Sequence, residues 1–303
     1  MTRRLVIGTR KSRLALIQTG MVSEAIAAAF PDVVIEVKEI VTAGDRSPGK
    51  PLSESGTVGF FTRDIETKLL TGEIDLAVHS LKDLPVEPPE GLMIAATPKR
   101  ADPRDVLVCR EAASLEDLPK GAVVGTSSPR RSAQLLAVRG DLTMRELRGN
   151  VDTRIEKLRR GDYDAIVTAK AALDRLGLAQ VITETLDPSW YLPAPAQGAL
   201  AVETREGDLD VVRIVSALND AATFIATSAE RELLAKLGGG CRLPLGALAE
   251  PVAGDGLLLR ASLASSDGRR ILRAEAHGKL DNPAAVVNEC YDRLTAETRN
   301  RKP

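Results

Sequence analysis

Apolar and polar positions along the first two thirds of the chain alternate between two periods. Leu5 to Gly8 is an apolar run of strand length, and Val33 to Val41 sets Ile35 and Val37 against Glu36 and Lys38 with the two-residue period of a strand. Between them Leu16, Ile17, Met21, Val22, Ala25 and Ile26 recur at helical spacing behind Ser12, whose hydroxyl suits a helix N-terminus. The alternation continues with a helix over Phe60 to Leu70 and strands at Ile74 to His79, Val106 to Val108 and Val123 to Gly125. Pro129 then opens a helix reaching about Val138, followed by a strand at Leu142 to Leu147, a helix at Val151 to Arg160 and a strand at Ala165 to Thr168. Such a succession predicts parallel sheets flanked by helices. Thr42 to Gly59, rich in Gly and Ser, is long for a connection and has the character of a lid or disordered segment. Trp190 to Gln197, with Pro193 and Pro195, predicts a crossing between domains, and Ala199 to Glu203 a strand returning to the first one.

The tail has a different rhythm. A helix over Ala221 to Leu237 runs into Gly238-Gly239-Gly240. Strands then follow at Leu245 to Ala249, Leu257 to Ala264 and Arg270 to Ala276, with a turn at Asp267-Gly268 and a closing helix from Pro283 to about Thr298. Strands in succession followed by a helix predict a small α+β domain. The division expected is 1–98 with 199–217 as a discontinuous first domain, 99–198 as the second and 218–303 as the third. No internal repeat is visible in the sequence.

Composition narrows the chemistry. The 303 residues suffice for two or three cores. Aromatic residues make up only 3%, which argues against a stacking platform for single-stranded nucleic acid. Lys plus Arg number 41 against 42 acids, so any anion site is local rather than a property of the whole surface. No stretch reaches the roughly 18 apolar residues of a membrane span, and the run after the N-terminal arginines is too short for a signal-peptide core. Three widely separated cysteines (Cys109, Cys241, Cys290) and two histidines argue for a reduced, cytoplasmic protein without a metal site.

Loops after parallel strands hold ligands, because the next helix offers free N–H groups. Here those loops carry Arg10 and Ser12; Lys82 and Asp83; Thr126, Ser127, Ser128, Arg130 and Arg131; Arg148 and Arg154; and Arg175. Any one of these is more often a solvated charge or a helix cap than a ligand. Their concentration at strand ends points instead to a small molecule with several carboxylates, which guanidinium forks bind through paired bonds. Neither Gly-rich nucleotide pattern is present. Asp83 is an anion among cations. It either pairs with Lys82 or an arginine, or opposes positive charge that develops in a reaction. Cys241, after three glycines and before Arg242, has a setting that favours a thiolate, although a cysteine is usually a small buried apolar residue. Cys109 in a strand and Cys290 on a helix read as structural.

These segments together resemble the porphobilinogen deaminase (hydroxymethylbilane synthase) family. The matching stretches are GTRKSRLALIQT, VHSLKDLP, DPRDVLV, VVGTSSPRRSAQL, LRGNVDTRIEKL, DRLGL, QGALAVE and GGGCRLPLG, in the family's order and across nearly the whole chain. The resemblance implies an α/β fold, with two type II periplasmic-binding-protein-like domains, the active site between them, and a small α+β C-terminal domain. It implies a monomeric transferase that joins porphobilinogen units head to tail with loss of ammonia. The product grows on a dipyrromethane cofactor attached to Cys241 by a thioether and is released as hydroxymethylbilane. Asp83 would be the catalytic aspartate that hydrogen-bonds pyrrole N–H groups. Arg10, Ser12, Gln18, Lys82, Thr126, Ser127, Ser128, Arg130, Arg131, Arg148, Arg154, Arg175, Gln197 and Gly198 would contact cofactor and substrate. The sequence departs from the family's pattern at Glu54 and Val58, often lysines, and at Ala172 and Ala196, commonly glycines. A reversible binder of small organic anions is the alternative from a different class, and it would not depend on Cys241.

Overall fold

The computed structural model describes residues 3–46, 62–239, 243–265 and 270–299. The chain forms two compact units, Met1–Ala101 with Ala199–Phe224, and Asp102–Gly198 with Ile225–Pro303.

In the first unit β1 (Arg3–Arg10) leads into α1 (Arg13–Ala29), where the Ser12 Oγ accepts a hydrogen bond from the Ala15 N–H at 3.3 Å. Then come β2 (Val33–Ile40), the short α2 (Ala43–Arg46), α3 (Arg63–Leu70), β3 (Leu76–Ser80), a 3₁₀ turn (Leu81–Asp83) and β4 (Leu92–Ala96). β3 is apolar on both faces because both are covered. Its Leu76 and Val78 join Leu5 and Ile7 of β1 and Val22 and Ile26 of α1, while Ala77 packs with Ile65 and Leu69 of α3.

The second unit begins with β5 (Asp105–Cys109), β6 (Val123–Gly125) and α4 (Pro129–Val138). It continues through β7 (Thr143–Arg145), α5 (Val151–Arg159), β8 (Ala165–Ala169), α6 (Lys170–Arg175) and β9 (Glu184–Thr185). The chain returns to the first unit with β10 (Leu200–Arg205) and α7 (Leu209–Ser216). The boundary back to the second falls within α8 (Ala221–Lys236), which is followed by β11 (Leu245–Val252), β12 (Gly256–Ala264), β13 (Ile271–Lys279) and α9 (Pro283–Arg299).

Both five-stranded sheets share one plan. Their orders are β2-β1-β3-β10-β4 and β7-β6-β8-β5-β9. In each, the first three strands are parallel and the fourth runs against its neighbours: β10 is antiparallel to β3 and β4, and β5 to β8 and β9. The expectation of parallel sheets therefore holds for three strands of each. Only the helix-crossover connections oblige neighbours to be parallel, and neither β5 nor β10 arrives by one. The third sheet, β11-β12-β13, is antiparallel, and its core joins Ala226 and Leu233 of α8 to Leu245, Leu257, Val287 and Leu294. Within the second unit it packs against the five-stranded sheet's layer. The Ala247 N–H donates to the Pro193 carbonyl at 2.9 Å, and the Ser262 Oγ lies 3.1 Å from the Gln134 Oε1.

α2, β4, α6, α7 and β9 are absent from the sequence reading, and all are short; α2 falls at the start of Thr42 to Gly59, read there as a lid or disordered segment. The helix expected from Phe60 starts at Arg63; Phe60 and the turn at Asp267-Gly268 lie outside the described residues. No helix among the described residues is long and apolar enough to cross a membrane.

Candidate active site

Three neighbouring parallel strands end at the same edge of each five-stranded sheet, so the loops after them are neighbours by construction. In the first unit this edge carries Arg10 at the end of β1 and Ser12 after it, the 3₁₀ turn after β3, and Thr42 to Asp45 after β2. Arg10 is ion-paired there. Its Nη2 lies 2.6 Å from the Asp45 Oδ1, and the Asp45 Oδ2 also accepts from the Thr42 hydroxyl at 2.7 Å. Burial pushes the Asp45 carboxyl up, but the bonds from Arg10 and Thr42 outweigh it and the carboxyl titrates below its ordinary range. Gln18 is buried on α1 and donates to the Ser80 Oγ at 3.0 Å, tying the helix to the last residue of β3. Leu81 anchors the turn from the core, Lys82 is half-buried and Asp83 is exposed. Among the described residues no hydrogen bond or ion pair reaches the Asp83 carboxylate. The pairing of Asp83 with Lys82 or an arginine, one of the two sequence readings, is thus not seen among the described residues.

The opposite face of this sheet holds a separate polar cluster under α3. The His79 Nε2 lies 3.1 Å from the Glu203 Oε2, both side chains are buried, and Glu66 stands close by. Burial, and after it the nearby Glu203 charge, raises the Glu66 carboxyl above its ordinary value.

The second unit's edge gathers the hydroxyl and arginine residues after β6, β7 and β8. The three hydroxyls build the turn itself. The Thr126 Oγ1 accepts from the Ser128 N–H at 3.2 Å, the Ser127 Oγ donates to the Leu147 carbonyl at 2.7 Å, and the Ser128 Oγ caps α4 by accepting from the Arg131 N–H at 3.4 Å. Gly125 has no room for a side chain, since a β-carbon there would meet Tyr163 at 2.8 Å and Leu147 at 3.1 Å.

Arg130 and Arg131 point inward. They are only 4% and 7% exposed and share the fully buried Asp105 of β5. The Arg131 Nε and Nη2 both donate to the Asp105 Oδ1, at 3.2 and 2.6 Å. The Arg130 Nη1 lies 2.8 Å from the Asp105 Oδ2 but donates its hydrogen bond to the Leu192 carbonyl at 2.6 Å, so that its contact with the carboxylate is ionic. The Gln197 Nε2 donates to the same Oδ1 at 2.9 Å and to the Pro103 carbonyl at 2.8 Å. Burial pushes the Asp105 carboxyl up, yet the two guanidiniums and the bonds from Arg131 and Gln197 together hold it far below the usual carboxylate range. Two guanidiniums against one carboxylate leave a positive excess inside the protein.

Arg148 pairs with Glu146 through its Nε at 2.8 Å, and the Arg154 Nε donates to the Gly149 carbonyl at 2.8 Å, beside the Asn150 cap of α5. The Arg175 Nη2 donates to the Gly198 carbonyl at 2.7 Å, while its Nε is buried with no partner among the described residues. Burial lowers the Arg175 pKa. That orphaned donor and the positive excess at Asp105 both suit an anionic group.

Cys241 lies outside the described residues, as do Gly240, Arg242 and 47–59 of the segment Thr42 to Gly59, including Glu54 and Val58. The approach to Cys241 is described and has a structural cause. The Gly238 N–H donates to the Ala235 carbonyl and the Gly239 N–H to the Leu234 carbonyl, each at 2.9 Å, and Gly238 has φ 68°. These are the paired bonds of a Schellman helix end, which needs a left-handed residue just after the helix. A β-carbon at Gly239 would lie 2.4 Å from the Leu234 Cδ1 and 2.9 Å from its carbonyl oxygen. Two glycines of the triplet thus serve helix termination rather than a bare loop. Cys109 and Cys290 are structural: burial pushes their thiols up to about 11 and about 12.

Sequence reasoning missed Asp45, Asp105 and Glu230. Asp105 lay in view inside DPRDVLV, an acid at the head of an apolar strand, but nothing in one dimension aims it at Arg131. Glu230 is fully buried on α8, accepting from the Ala196 N–H at 2.5 Å and the Ala249 N–H at 2.8 Å.

Comparison with known proteins agrees along the chain. Residues 5–213 match the family model for the porphobilinogen deaminase dipyromethane cofactor binding domain, and residues 224–296 that for the porphobilinogen deaminase C-terminal domain. The chain is 50% identical over 290 residues to a porphobilinogen deaminase of Roseiflexus castenholzii, covering 96% of this chain and 95% of that one. It is 47% identical over 293 residues to one of Bacillus cereus, covering 96% and 94%. Among solved structures it is similar to a periplasmic binding protein of Salmonella typhimurium at 14% identity and a TM-score of 0.41, covering 76% of this chain and 97% of that one. With matches of this extent on both segments, the chain belongs to the porphobilinogen deaminase family.

Proposed function

We propose that the chain is a hydroxymethylbilane synthase: a transferase that joins porphobilinogen units head to tail, releases ammonia at each joining, and ends by releasing the linear tetrapyrrole hydroxymethylbilane. The observation that carries this reading is the near-full-length identity with porphobilinogen deaminases, which spans both of the family's domains. In the same reading 1–98 with 199–217, 99–198 and 218–303 are three separate domains, the protein works as a monomer in the cytoplasm, and porphobilinogen is its small-molecule partner.

The dipyrromethane cofactor, held through a thioether to Cys241, supplies a pyrrole carbon nucleophile from which the chain grows. Its acetate and propionate groups suit the cations at the strand ends. Arg175 has a buried Nε without a partner, and Arg130 with Arg131 carries one charge more than Asp105 neutralises. Arg148 in the loop after β7 and Arg154 on α5 hold carboxylates, and Arg10, Ser12, Gln18 and Lys82 act likewise at the first unit's edge, with Thr126, Ser127, Ser128, Gln197 and Gly198 shaping the second. Guanidinium forks hold such groups in a set orientation at small entropic cost.

The setting of Asp83 supports the role proposed for it. It stands on a short turn fixed by the buried Leu81, and its carboxylate is exposed, with no partner among the described residues. A carboxylate not already neutralised can accept a pyrrole N–H and stabilise the positive charge that grows on the ring as ammonia leaves and again as the new bond forms. Cys241 adds as a thiolate to the same kind of electrophile, which is why the attachment is a thioether.

Intact-mass measurement of the purified protein tests the reading. The wild type is expected to carry a dipyrromethane adduct that Cys241→Ser lacks. Folded wild-type protein that stays unmodified after incubation with porphobilinogen would overturn it. Asp83→Asn is expected to keep the adduct and lose nearly all turnover; near-normal turnover removes Asp83 from the chemistry.

A further inference from the structure

Asp105 is a fully buried carboxylate met by three side chains, and nothing in the proposed chemistry yet uses it. Its Oδ1 takes three donors, two from Arg131 and one from Gln197, while its Oδ2 faces the Arg130 Nη1 at 2.8 Å without accepting a hydrogen bond. Gln197 has both amide hydrogens committed, to Asp105 and to the Pro103 carbonyl. Tyr191 walls the group: its ring lies under Arg130, 5.9 Å from the guanidinium carbon, and its hydroxyl reaches the Arg131 carbonyl at 3.3 Å. One buried carboxylate thus meets three side chains, two on α4 and one in the turn at Gln197.

We propose that Asp105 is a positioning residue for ligand carboxylates, which aligns Arg131 and Gln197 by hydrogen bonds and leaves Arg130, ion-paired to Asp105 and hydrogen-bonded to the Leu192 carbonyl, to engage one incoming carboxylate. The proposal rests on the reading of these arginines as ligand contacts. Charge and geometry separate its two effects. Without Asp105 the two adjacent guanidiniums lose the carboxylate they share, so anions are still attracted. What is lost is the fixed fork of Arg131, on which correct placement of the reacting pyrrole depends. The perturbation therefore falls on kcat rather than on KM.

The test uses the full-length holoprotein with Asp105→Asn, and rates are normalised to the fraction carrying the adduct. The proposal expects kcat to fall at least about tenfold with no rise in KM, since a misaligned bound group commonly costs such factors. A merely structural role would lower the yield of folded protein but leave both constants of the loaded fraction unchanged. Both constants within twofold of wild type, or a raised KM at unchanged kcat, overturn the proposal. If Asp105→Asn gives no folded protein, the same comparison is made with Asp105→Glu, which keeps the charge and displaces the carboxylate. There a fall of at least about threefold in kcat without a rise in KM supports the proposal, and the same two outcomes overturn it.

A second readout does not depend on turnover. The Arg131 Nε–H resonance, assigned by its loss in Arg131→Lys, is followed in wild-type protein during titration with porphobilinogen and then with citrate. A shift with either anion supports a carboxylate-receiving pair. A shift with citrate alone retains the pair as an anion site while removing porphobilinogen as its ligand. No shift with either anion overturns the proposal.

Discussion

Replacing Glu230 with glutamine removes one acceptor from a place where two are needed. Glu230 is fully buried, and each of its oxygens serves a different backbone N–H: Ala196, in the turn before Gln197, at 2.5 Å, and Ala249, on β11, at 2.8 Å. β11 is an edge strand, paired among the described residues only with β12. Its outward N–H groups alternate along the strand, and in the buried edge they are met by the Pro193 carbonyl at Ala247 and by Glu230 at Ala249. Glutamine keeps the shape but presents an NH₂ to one of these donors, so one buried N–H loses a charge-assisted bond and faces another donor. A charged hydrogen bond contributes about 1.5–3 kcal/mol, and a buried donor left without a partner costs about 1–3 kcal/mol. The two figures overlap, and about 2–4 kcal/mol is the expected loss for Glu230→Gln. For a chain of this length, at about 2 °C per kcal/mol, the apparent melting midpoint should fall by roughly 4–8 °C. Alanine, which leaves both N–H groups without a partner and opens a cavity, should cost more. Thermal melts of the wild type and both variants, scanned at one rate in the same cofactor state, decide the matter. A glutamine midpoint within about 1 °C of wild type would refute the role given to this carboxylate.

Three further outcomes follow from the same geometry. Because the folded Asp105 carboxyl lies below its unfolded value of about 3.9, its contribution is present above that pH and lost as the pH falls further. The stability gap between wild type and Asp105→Asn should therefore narrow below about pH 4, and a gap that widens there in acid denaturation contradicts the assignment. Cys109 and Cys290, with thiols pushed up by burial to about 11 and about 12, should resist an aromatic disulfide reagent in the native protein. After denaturation the loaded protein should show these two thiols and protein lacking the adduct all three cysteines of the chain, so equal counts argue against attachment at Cys241. Ala196 sits at φ 61° and is fully buried. Glycine there relieves about 1–2 kcal/mol of left-handed strain but costs about 0.5–1 in chain freedom and about 0.8 for the lost methyl, so Ala196→Gly should shift denaturant stability by less than about 1 kcal/mol. A loss above about 2 kcal/mol means the strain is not there.

The local chemistry of the fold was legible residue by residue. Ser12 and Pro129 start helices where their chemistry says they should, and the run of helix and strand periods locates both five-stranded sheets. The loops that carry Arg10, Asp83, Thr126 to Arg131 and Arg148 could be found because strand-end loops after parallel strands lie at one edge whatever else the fold does. The shared plan of the two sheets could not be found as a repeat. The antiparallel fourth strand comes early in one unit, as β5, and late in the other, as β10, so the common topology leaves no common period in the sequence.

Local residue patterns thus settled which segments become helices and strands and which loops hold cations, because propensity, capping and periodicity act over a few residues. Tertiary structure alone decided what those cations face. Arg130 and Arg131 look like two free forks in the sequence, yet a carboxylate 26 residues from Arg131 turns both inward and takes Gln197 with them. Arg10 likewise meets Asp45, whereas Asp83 keeps its carboxylate exposed. Pairing between charges depends on distance in space, and the chain sets that distance only after its strands have found their order.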